Sequence, residues 1–550
     1  MKNKVQLVMI AMLSLMLLVL AIASERPVQE DSASYNELGM YTPITEKEIT
    51  LRVLMPLNSG YVTDIKTNSF TKMMEETTGV KLSFEEVAAG DSFNDVRNLM
   101  ISSGDYPDII INSGYTNSDI VRYGAEGIFL PLNYYIENTM PAYTEYLNKY
   151  TTYENAIAQM TCTDGNIYSP YVGYSQAYHN HVANYKCFIY KPWLEALGMS
   201  NPTTIDEFYD LLVAFKTKDP NGNGKADEIP LIANFRNLRT FLVNAFCYDS
   251  GTATHLWVTD DGVVESSYTS DAYREAVTFI RKLYAEGLLD TTTFTVNDAG
   301  VKELTMASSG NVVGVSMSNA MTGISTADSE VFEGFTNVLT PLKGPEGVQY
   351  CRWNHELYDA NAFLITSACK YPELALRWYD YFFEDVRVPL ACAEGVEDVN
   401  WVMCKEGEIG INGEPAVWKR LTSFATTGAV NHAWGSTSFN NIYDHSSQAS
   451  APGAQAYELY QATTRYEPYA VPYKNYMPTM LWLTTDESVI ATQYETDLGN
   501  FMDEAFTYFV MGTYDVTNDN DWAWYLNELK AIGLEDYLAI QQAAYDAMIK

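Results

Sequence analysis

The sequence predicts an α/β protein with two lobes. Its 550 residues exceed what a single hydrophobic core usually serves, so at least two folding units are expected. Strand-like and helix-like patterns alternate between residues 49 and 111, and they alternate again between residues 187 and 315. Because strands that alternate with helices form sheets covered by those helices, the two series predict two sheets, each flanked by helices.

The first series is the more regular one. An alternating apolar pattern at residues 49–54 predicts a strand, and the helix after it ends at Gly79, a residue type that favours the left-handed cap. A second strand at residues 80–85 precedes a helix closed by Gly104. The unbroken apolar run at residues 109–111 predicts a central strand of a parallel sheet, because both of its faces must be buried.

The second series repeats this alternation with different lengths. A strand at residues 187–190 leads into a short helix, and Thr204 with Glu207 predicts a capping box at the start of a longer helix. Further strands are expected at residues 312–315 and 362–366. The last hundred residues are expected to be mainly helical.

The N-terminus has the pattern of an export signal. Lys2 and Lys4 precede a long apolar run that ends in the A-x-A pattern of a cleavage site at residues 21–23. We therefore predict a signal segment at residues 1–23, with an uncleaved anchor as the alternative. The polar, unpatterned residues 24–47 are expected to form a linker.

Charge and cysteine content exclude several classes of partner and site. With 70 acidic and 34 basic residues, the net charge is −36, which argues against nucleic acid and anionic membrane surfaces as partners. The seven cysteines are spread singly without a C-x-x-C pair. This spacing argues against a disulfide framework and against a zinc site.

Residues 219–228 resemble the first ten positions of a calcium-binding loop. Calcium takes six to eight oxygen ligands, and alternate residues of a tight loop supply them. Position twelve holds Pro230 instead of a bidentate glutamate, so the last two acidic residues must close the shell. The alternative is a solvated turn without metal. The predicted structural Ca²⁺ site comprises Asp219, Asn221, Asn223, Lys225 through its carbonyl, Asp227 and Glu228.

No arrangement of residues predicts catalysis. His179 and His181 lack a third metal ligand nearby, and His355 with Glu356 lacks the second histidine of a zinc protease. Residues 314–318 lack the closing glycine of a nucleophile elbow. Among 70 acidic residues the sequence cannot identify a glycosidase pair. A binding protein is therefore favoured over an enzyme.

Aromatic residues near expected strand ends predict a binding cleft for a sugar. The chain has 41 tyrosines and 10 tryptophans, and aromatic planes stack on the apolar faces of sugar rings while polar neighbours bond the hydroxyls. Loops after parallel strands are where α/β folds bind ligands. For each residue, ordinary core or surface packing is the alternative. The predicted ligand contacts are Asn58, Tyr61, Ser113, Tyr115, Tyr171, Trp353, Asn354 and Trp401.

Several segments resemble the family 1 extracellular solute-binding proteins of ABC importers, in the long form common in Gram-positive bacteria. The segments follow one another in the family's order over most of the chain from about residue 48. They are residues 101–109, 202–208, 215–231, 283–290, 341–347 and 529–546. Alginate-binding relatives carry a calcium loop like residues 219–228. The resemblance therefore supports the calcium site as well.

The resemblance implies a type II periplasmic-binding-protein-like fold, with two α/β lobes joined by hinge strands. We expect one lobe at residues 48–168 plus 356–398 and the other at residues 169–355 plus 399–550. It also implies an extracytoplasmic, non-enzymatic protein that captures an oligosaccharide and delivers it to an ABC permease. Ser24 stands where exported relatives carry a lipid-bearing cysteine, so lipid anchoring is left open. The alternatives are a secreted carbohydrate-active enzyme and a receptor for peptide or another solute.

Overall fold

The computed structural model describes most of the chain in two lobes. In each lobe a four-stranded sheet is flanked by helices. The described residues are 35–57, 64–150, 153–170, 182–327, 329–355, 362–422, 442–452, 454–478 and 481–549, with Trp434, Thr437 and Phe439. The predicted signal segment therefore lies outside the described residues. None of the helices within these ranges is long and apolar enough to cross a membrane.

The first lobe begins with alternating strands and helices and continues with short helices. Its elements, in chain order, are β1 (Ile49–Leu57), α1 (Ser69–Thr78), β2 (Val80–Ala88), α2 (Asp91–Ser103), β3 (Ile109–Ile111), α3 (Asn117–Ala125), α4 (Asn133–Thr139), α5 (Pro141–Tyr150) and α6 (Tyr153–Met160).

The second lobe follows with short strands and longer connecting helices. Its elements are β4 (Lys186–Ile189), α7 (Lys191–Leu197), α8 (Ile205–Thr217), β5 (Ile229–Leu231), α9 (Phe235–Val243), β6 (Leu256–Val258), β7 (Val264–Ser266), α10 (Asp271–Ala285), α11 (Asp298–Thr305), β8 (Val313–Ser318), α12 (Met321–Ile324), α13 (Glu330–Gly334) and β9 (Val338–Leu339).

The chain then returns to the first lobe and ends in helices. These elements are β10 (Phe363–Ile365), α14 (Pro372–Glu384), α15 (Arg387–Glu394), β11 (Trp401–Met403), β12 (Trp418–Arg420), α16 (Gln455–Tyr466), α17 (Thr485–Met511), α18 (Asp519–Ile532) and α19 (Leu534–Met548). The predicted strands at residues 49–54, 80–85 and 109–111 and the helical C-terminus are confirmed.

Helix ends follow the predicted glycines but depart from the predicted capping box. Gly79 and Gly104 both adopt the left-handed conformation after their helices, at φ 75° and 77°. Thr204 Oγ1 accepts a hydrogen bond from the Glu207 N–H at 3.2 Å, as predicted. The Glu207 carboxylate instead accepts two hydrogen bonds from Thr203, one from its N–H and one from its hydroxyl, each at 2.7 Å. Thr203 is preferred because it offers a side-chain donor in addition to its N–H.

The first sheet has the strand order β10-β3-β1-β2. β1 runs parallel to β2 and β3, whereas β10 is antiparallel to β3, with Phe363 opposite Ile111. β3 is thus central, and its three isoleucines are fully buried because helices cover both faces. Ile109 and Ile111 join one core, while Ile110 joins the core on the other face. As predicted, the run of isoleucines is unbroken because β3 is buried on both faces of the sheet.

The second sheet has the strand order β5-β8-β4-β9. β5 is parallel to β8, whereas β4 is antiparallel to both β8 and β9. Lys186 at the start of β4 lies opposite Ser318 at the end of β8. This edge of the sheet is the one at which the chain enters the lobe, and it carries the candidate site.

The buried side chains form a separate core in each lobe. One cluster contains buried side chains between Val182 and Trp353 together with those of the C-terminal helices. Another spans β1 to α6 and α14, and it also contains Trp434, Phe439 and Ile442. The predicted lobe boundary at residue 398 remains a prediction. The packing of these last three side chains favours a crossing after residue 442.

Helix α17 links the two lobes outside the hinge segments. Just before it, Trp482 packs against the first-lobe core and its Nε1 donates to the Gln159 carbonyl at 2.8 Å. α17 contacts α3, while Leu498 and Phe506 are buried in the second-lobe core. α17 therefore contacts both lobes.

The predicted linker is folded onto the first lobe from residue 35 onward. Tyr41 and Ile44 are buried, and the Tyr41 hydroxyl donates to Asp380 at 2.6 Å. Arg377 donates to two carbonyls of this segment, those of residues 36 and 37, at 2.8 Å. Sequence pattern missed this packing because the partners lie more than 300 residues away on α14.

Asp380 gives this packing an expected pH dependence. Its carboxylate is fully buried and accepts from Tyr41 and from Tyr143 N at 2.7 Å, and burial raises its pKa to about 6. Because this value exceeds the unfolded value, the carboxyl group stabilises the fold most in acid. That contribution is lost as pH rises through about 6.

We expect Asp380→Asn to remove this pH dependence. Between pH 5 and pH 7 the free energy of unfolding of the wild type should fall by about 1 kcal/mol relative to that of the variant. Urea unfolding at both pH values measures the difference. Asp206→Asn, at an exposed site, is the control and should follow the wild type. Parallel pH profiles for the wild type and Asp380→Asn would contradict the assignment.

Candidate ligand-binding cleft

One edge of each sheet carries a residue with locally strained backbone. Asn112 follows β3 with φ 48°, and Tyr185 precedes β4 with φ 60°. Such left-handed conformations are uncommon for residues other than glycine and concentrate at functional sites. Only six residues separate His355 from Ala362, and the Asn354 N–H bonds the Val182 carbonyl at 2.9 Å. The chain therefore passes between the lobes beside these sheet edges.

Tyr185 is held at this edge by three neighbours. Its N–H donates to Asn319 Oδ1 at 3.2 Å, and Arg352 Nη1 donates to its hydroxyl at 2.8 Å. Gly251 packs against the pair with φ +66°, and a Cβ there would lie 2.9 Å from Tyr185 Cε2 and 3.1 Å from Arg352 Cδ. The position therefore has no room for a side chain. The packing against Gly251 therefore fixes the position of the Tyr185 ring.

A polar cavity of about 420 Å³ opens beside this cluster. Its walls are α9, the turn at residues 251–253 and α17. Gly251 lines the cavity and contacts Tyr185, so the cavity adjoins the sheet edge. All of the residues that line the cavity belong to the second lobe, and one of its walls, α17, also contacts α3 of the first lobe.

A buried relay of charged and polar side chains supports the cavity wall. Asp249 accepts from His255 Nδ1 at 2.7 Å, from the Tyr268 hydroxyl at 2.9 Å and from the Gly251 N–H at 2.7 Å. Arg239 Nη2 lies 3.3 Å from His255 Nε2, and its Nη1 donates to Asp503 at 2.6 Å. The relay thereby ties the turn at Gly251 to α9 and α17.

The protonation states in the relay follow from its geometry. Since Arg239 donates to His255 Nε2, the imidazole carries its proton on Nδ1 and is neutral. Burial lowers the pKa of His255, which agrees with this state. Burial alone would raise the pKa of Asp249, but the neighbouring His255 and Arg239 lower it well below its usual range. Asp249 is therefore a buried carboxylate that remains charged.

Three of the predicted ligand contacts, Asn58, Tyr61 and Tyr171, lie outside the described residues, as do His179 and His181. Two others lie at the crossing between the lobes. Trp353 is 9% exposed, and Asn354 beside it is half-buried. These five positions remain predictions.

The other three predicted contacts have buried side chains. Tyr115 is packed between Phe129 and Arg97, whose guanidinium lies 4.0 Å from the ring centroid. Ser113 is fully buried and accepts from the Tyr115 N–H at 3.3 Å. Trp401 is 1% exposed and its Nε1 donates to the Gly395 carbonyl at 2.8 Å. We therefore do not carry these three into the proposed site.

The predicted calcium loop folds as a compact turn with converging oxygens. Asp219 accepts from the N–H groups of Asn223 and Gly224 at 3.1 and 3.0 Å, and the Asn223 amide donates to Asp227 at 3.0 Å. Glu228 Oε1 is buried without a hydrogen-bond partner among the described residues. Burial raises the pKa of Glu228, and the nearby Asp219 and Asp227 carboxylates add to this effect.

Throughout the described part of the chain, no group of three or more His, Cys, Asp or Glu side chains is arranged to hold a metal ion. In the loop, the amide NH₂ groups of Asn221 and Asn223 are turned toward Asp227. A cation there would need these amides to rotate and present their oxygens. All seven cysteines are free, and five of them are buried.

The sequence did not reveal the cavity itself. Asp249, His255 and Arg239 follow no recognised motif, and Asp503 lies 264 residues from Arg239. The nearest local signal is Gly251, which follows Asp249 in a short polar turn. This pattern is common in turns that bind nothing.

Two α/β lobes, each built on a four-stranded sheet, have the architecture of a two-lobed solute-binding protein. The family model for bacterial extracellular solute-binding proteins matches residues 61–385, and the chain belongs to this family.

The chain is similar from end to end to an uptake protein of Streptococcus pneumoniae. The fructooligosaccharide ABC transporter substrate-binding protein FusA is 29% identical over 539 residues, which cover 94% of this chain and 93% of FusA. The polygalacturonan/rhamnogalacturonan-binding protein YtcQ of Bacillus subtilis is 22% identical over 280 residues, half of this chain and 52% of YtcQ.

Solved structures of FusA have the same fold. FusA in complex with kestose matches with a TM-score of 0.73 at 25% identity, over 90% of this chain and 99% of FusA. An EF-hand mutant of FusA in complex with fructo-nystose matches with a TM-score of 0.72. The predicted family and two-lobed fold class are confirmed.

Proposed function

We propose that this protein is the extracytoplasmic substrate-binding component of an ABC importer and that it captures an oligosaccharide between its lobes. The end-to-end similarity to FusA supports this substrate class. The captured saccharide would then be delivered to a membrane permease. A binding role without catalysis agrees with a cavity in which Arg236, Arg239 and Asp503 are engaged in ion pairs.

The observation that carries the proposal is the cavity between α9, the 251–253 turn and α17. Its volume of about 420 Å³ falls within the range of small-molecule sites. Hydroxyl, amide and carboxylate groups of Thr496, Asn500 and Glu495 line it, and these groups match sugar hydroxyls. The Tyr185 ring contacts Gly251 at the edge of the cavity. Asn58, Tyr61, Tyr171, Trp353 and Asn354 remain proposed contacts around this centre.

Capture would be coupled to the relative position of the lobes. A saccharide that contacts both lobes binds the closed arrangement better than the open one, and this difference in affinity shifts the population toward closure. The relay through Asp249 and Arg239 would keep the cavity wall rigid in both arrangements. The permease then distinguishes the closed, loaded form from the open one.

Titration calorimetry and solution X-ray scattering test this function together. The probes are kestose, maltotriose and lacto-N-tetraose, with glycyl-glycyl-glycine for the peptide alternative. At least one saccharide should bind, decrease the radius of gyration and be recovered uncut by chromatography. Cleaved saccharide would favour the enzyme alternative. Binding of the peptide alone, or saccharide binding without compaction, would contradict the proposal.

We also propose that residues 219–228 bind Ca²⁺ as a structural clip in the second lobe. The oxygen donors fit a hard cation, and the buried Glu228 Oε1 with two adjacent carboxylates marks an uncompensated negative site. Asp219, Asn221, Asn223, Asp227, Glu228 and the Lys225 carbonyl would hold the ion. Bound calcium would neutralise the three carboxylates and tie the loop to the start of β5.

Calcium removal is expected to destabilise the second lobe. At a free concentration of 100 times Kd, calcium would stabilise the folded state by about 2.7 kcal/mol. Thermal unfolding with excess CaCl₂ and with EGTA measures the difference. Asp219→Ala should abolish the calcium-dependent shift, whereas Asp206→Asn should keep it. An equal shift in Asp219→Ala would contradict the site.

For the ends of the molecule, residues 1–23 are proposed to direct export and to be cleaved or retained as an anchor. The lobes are proposed at the predicted bounds, with the crossing after residue 398 moved beyond residue 442. Export agrees with the extracellular family to which the chain belongs. Mass spectrometry of the mature protein from its native host distinguishes cleavage from retention.

A further inference from the structure

Most of the charge that lines the cavity is already paired. Arg236 and Arg239 both donate to Asp503, at 2.7 and 2.6 Å. The Arg239 side chain is only 4% exposed, so its guanidinium interacts with Asp503 and His255 rather than with a ligand. The two guanidinium groups therefore share one carboxylate of the cavity wall.

Glu495 is the unpaired charge in the cavity. It lies on α17 two turns before Asp503, and it forms no hydrogen bond or ion pair with any residue that the structure describes. Its side chain is exposed, and partial desolvation by the surrounding protein raises its pKa. The four charged lining residues sum to zero, but the group free to meet a ligand is an anion.

The nearest other charged groups do not change this balance. Arg352 contacts Tyr185 and lines a separate hole of about 10 Å³ rather than the cavity. Asp249 and His255 are fully buried behind the wall. The remote field has the same sign as Glu495, because the net charge of the chain is −36.

We infer that the cavity selects uncharged saccharides and rejects those with carboxylate groups, with Glu495 as the residue that determines this specificity. This inference rests on the proposed carbohydrate-binding function. A carboxylate accepts hydrogen bonds from two neighbouring hydroxyls of a neutral sugar. A uronate in the same place brings a second negative charge within contact distance of Glu495, where like charges repel. Charged and uncharged glycans are both represented among the relatives' names.

Calorimetry with matched probes tests the inference. The neutral probes are kestose, maltotriose and lacto-N-tetraose, and the anionic probe is trigalacturonate. The wild type should bind at least one neutral probe about 100-fold more tightly than trigalacturonate. Glu495→Gln removes one like charge and should reduce this discrimination by about tenfold. The reduction should shrink as ionic strength rises.

Asp497→Asn is the matched control. It removes one negative charge from the same helix at an exposed position that does not line the cavity. Discrimination in this variant should equal that of the wild type. Circular dichroism and thermal unfolding establish that both variants are folded.

The outcomes separate the two levels of the proposal. Tight trigalacturonate binding by the wild type, or equal effects of the two variants, overturns the role of Glu495 but leaves carbohydrate capture in place. Binding of none of the saccharides overturns carbohydrate capture and, with it, the specificity inferred from that function.

Discussion

Gly251→Ala is expected to weaken saccharide binding by about 30-fold, the effect of ~2 kcal/mol of overpacking. The added methyl would lie 2.9 Å from Tyr185 Cε2 and 3.1 Å from Arg352 Cδ. Both atoms are in the middle of packed side chains, so the pair must move as a unit. Because Tyr185 also bonds Asn319, its displacement alters the cavity edge. Calorimetry with the saccharide that binds the wild type measures the loss.

Gly262→Ala separates this clash from backbone strain. Gly262 lies between β6 and β7 with φ +81°, and a Cβ there meets no atom within 4 Å. Both variants carry the strain of a side chain at positive φ, which costs about 1 kcal/mol. Gly262→Ala should therefore lose only the thermal stability that this strain costs and retain full affinity, whereas Gly251→Ala also carries the cost of the clash. If the two variants bind equally, Gly251 does not position the site.

Asp249→Ala is expected to lower the free energy of unfolding of the second lobe by about 3–5 kcal/mol. The carboxylate is fully buried and accepts hydrogen bonds from His255, the Tyr268 hydroxyl and the Gly251 N–H. Its removal leaves three buried donors without an acceptor. It also leaves Arg239 with one fewer negative charge nearby, and Arg239 is itself almost fully buried. Denaturant unfolding followed by tryptophan fluorescence measures the change.

Asp519→Ala is the matched control for this loss. Asp519 pairs with Arg274 at 2.9 Å, but its side chain is 94% exposed. Exposed ion pairs contribute about 0–1 kcal/mol, so the variant should unfold almost as the wild type does. A loss below about 1 kcal/mol in Asp249→Ala would mean that the relay does not support the fold. The binding affinity of any folded Asp249→Ala protein should also fall, because Gly251 loses its anchor.

The sequence predicted most of the fold of the first lobe because its signals are local. The isoleucine run at β3 and the caps at Gly79 and Gly104 were read from patterns of a few residues, and all were confirmed. The Thr204 capping box was half right, because the neighbouring Thr203 offered Glu207 better donors. The predicted linker failed at Tyr41, whose partner on α14 is 339 residues away.

Of the two candidate sites, the sequence predicted the calcium loop but not the cavity. The loop at residues 219–228 could be recognised because all of its oxygens come from ten consecutive residues. The cavity could not, because its wall combines Arg239 with Asp503, 264 residues apart, and the adjoining Tyr185 pairs with Arg352, 167 residues away. Tyr115 and Trp401 show the converse problem: their ring types suited a sugar, but packing had already buried them.

The sequence by itself determined the two-lobed α/β class, the family resemblance and the oxygen-rich loop, because periodicity, capping and loop composition act between near neighbours along the chain. The tertiary structure alone decided which aromatic rings are buried, that residues 35–47 cover the first lobe, and that α17 closes a cavity beside Tyr185. These features depend on contacts between segments hundreds of residues apart. Their free energies come from burial and charge pairing that local sequence does not specify.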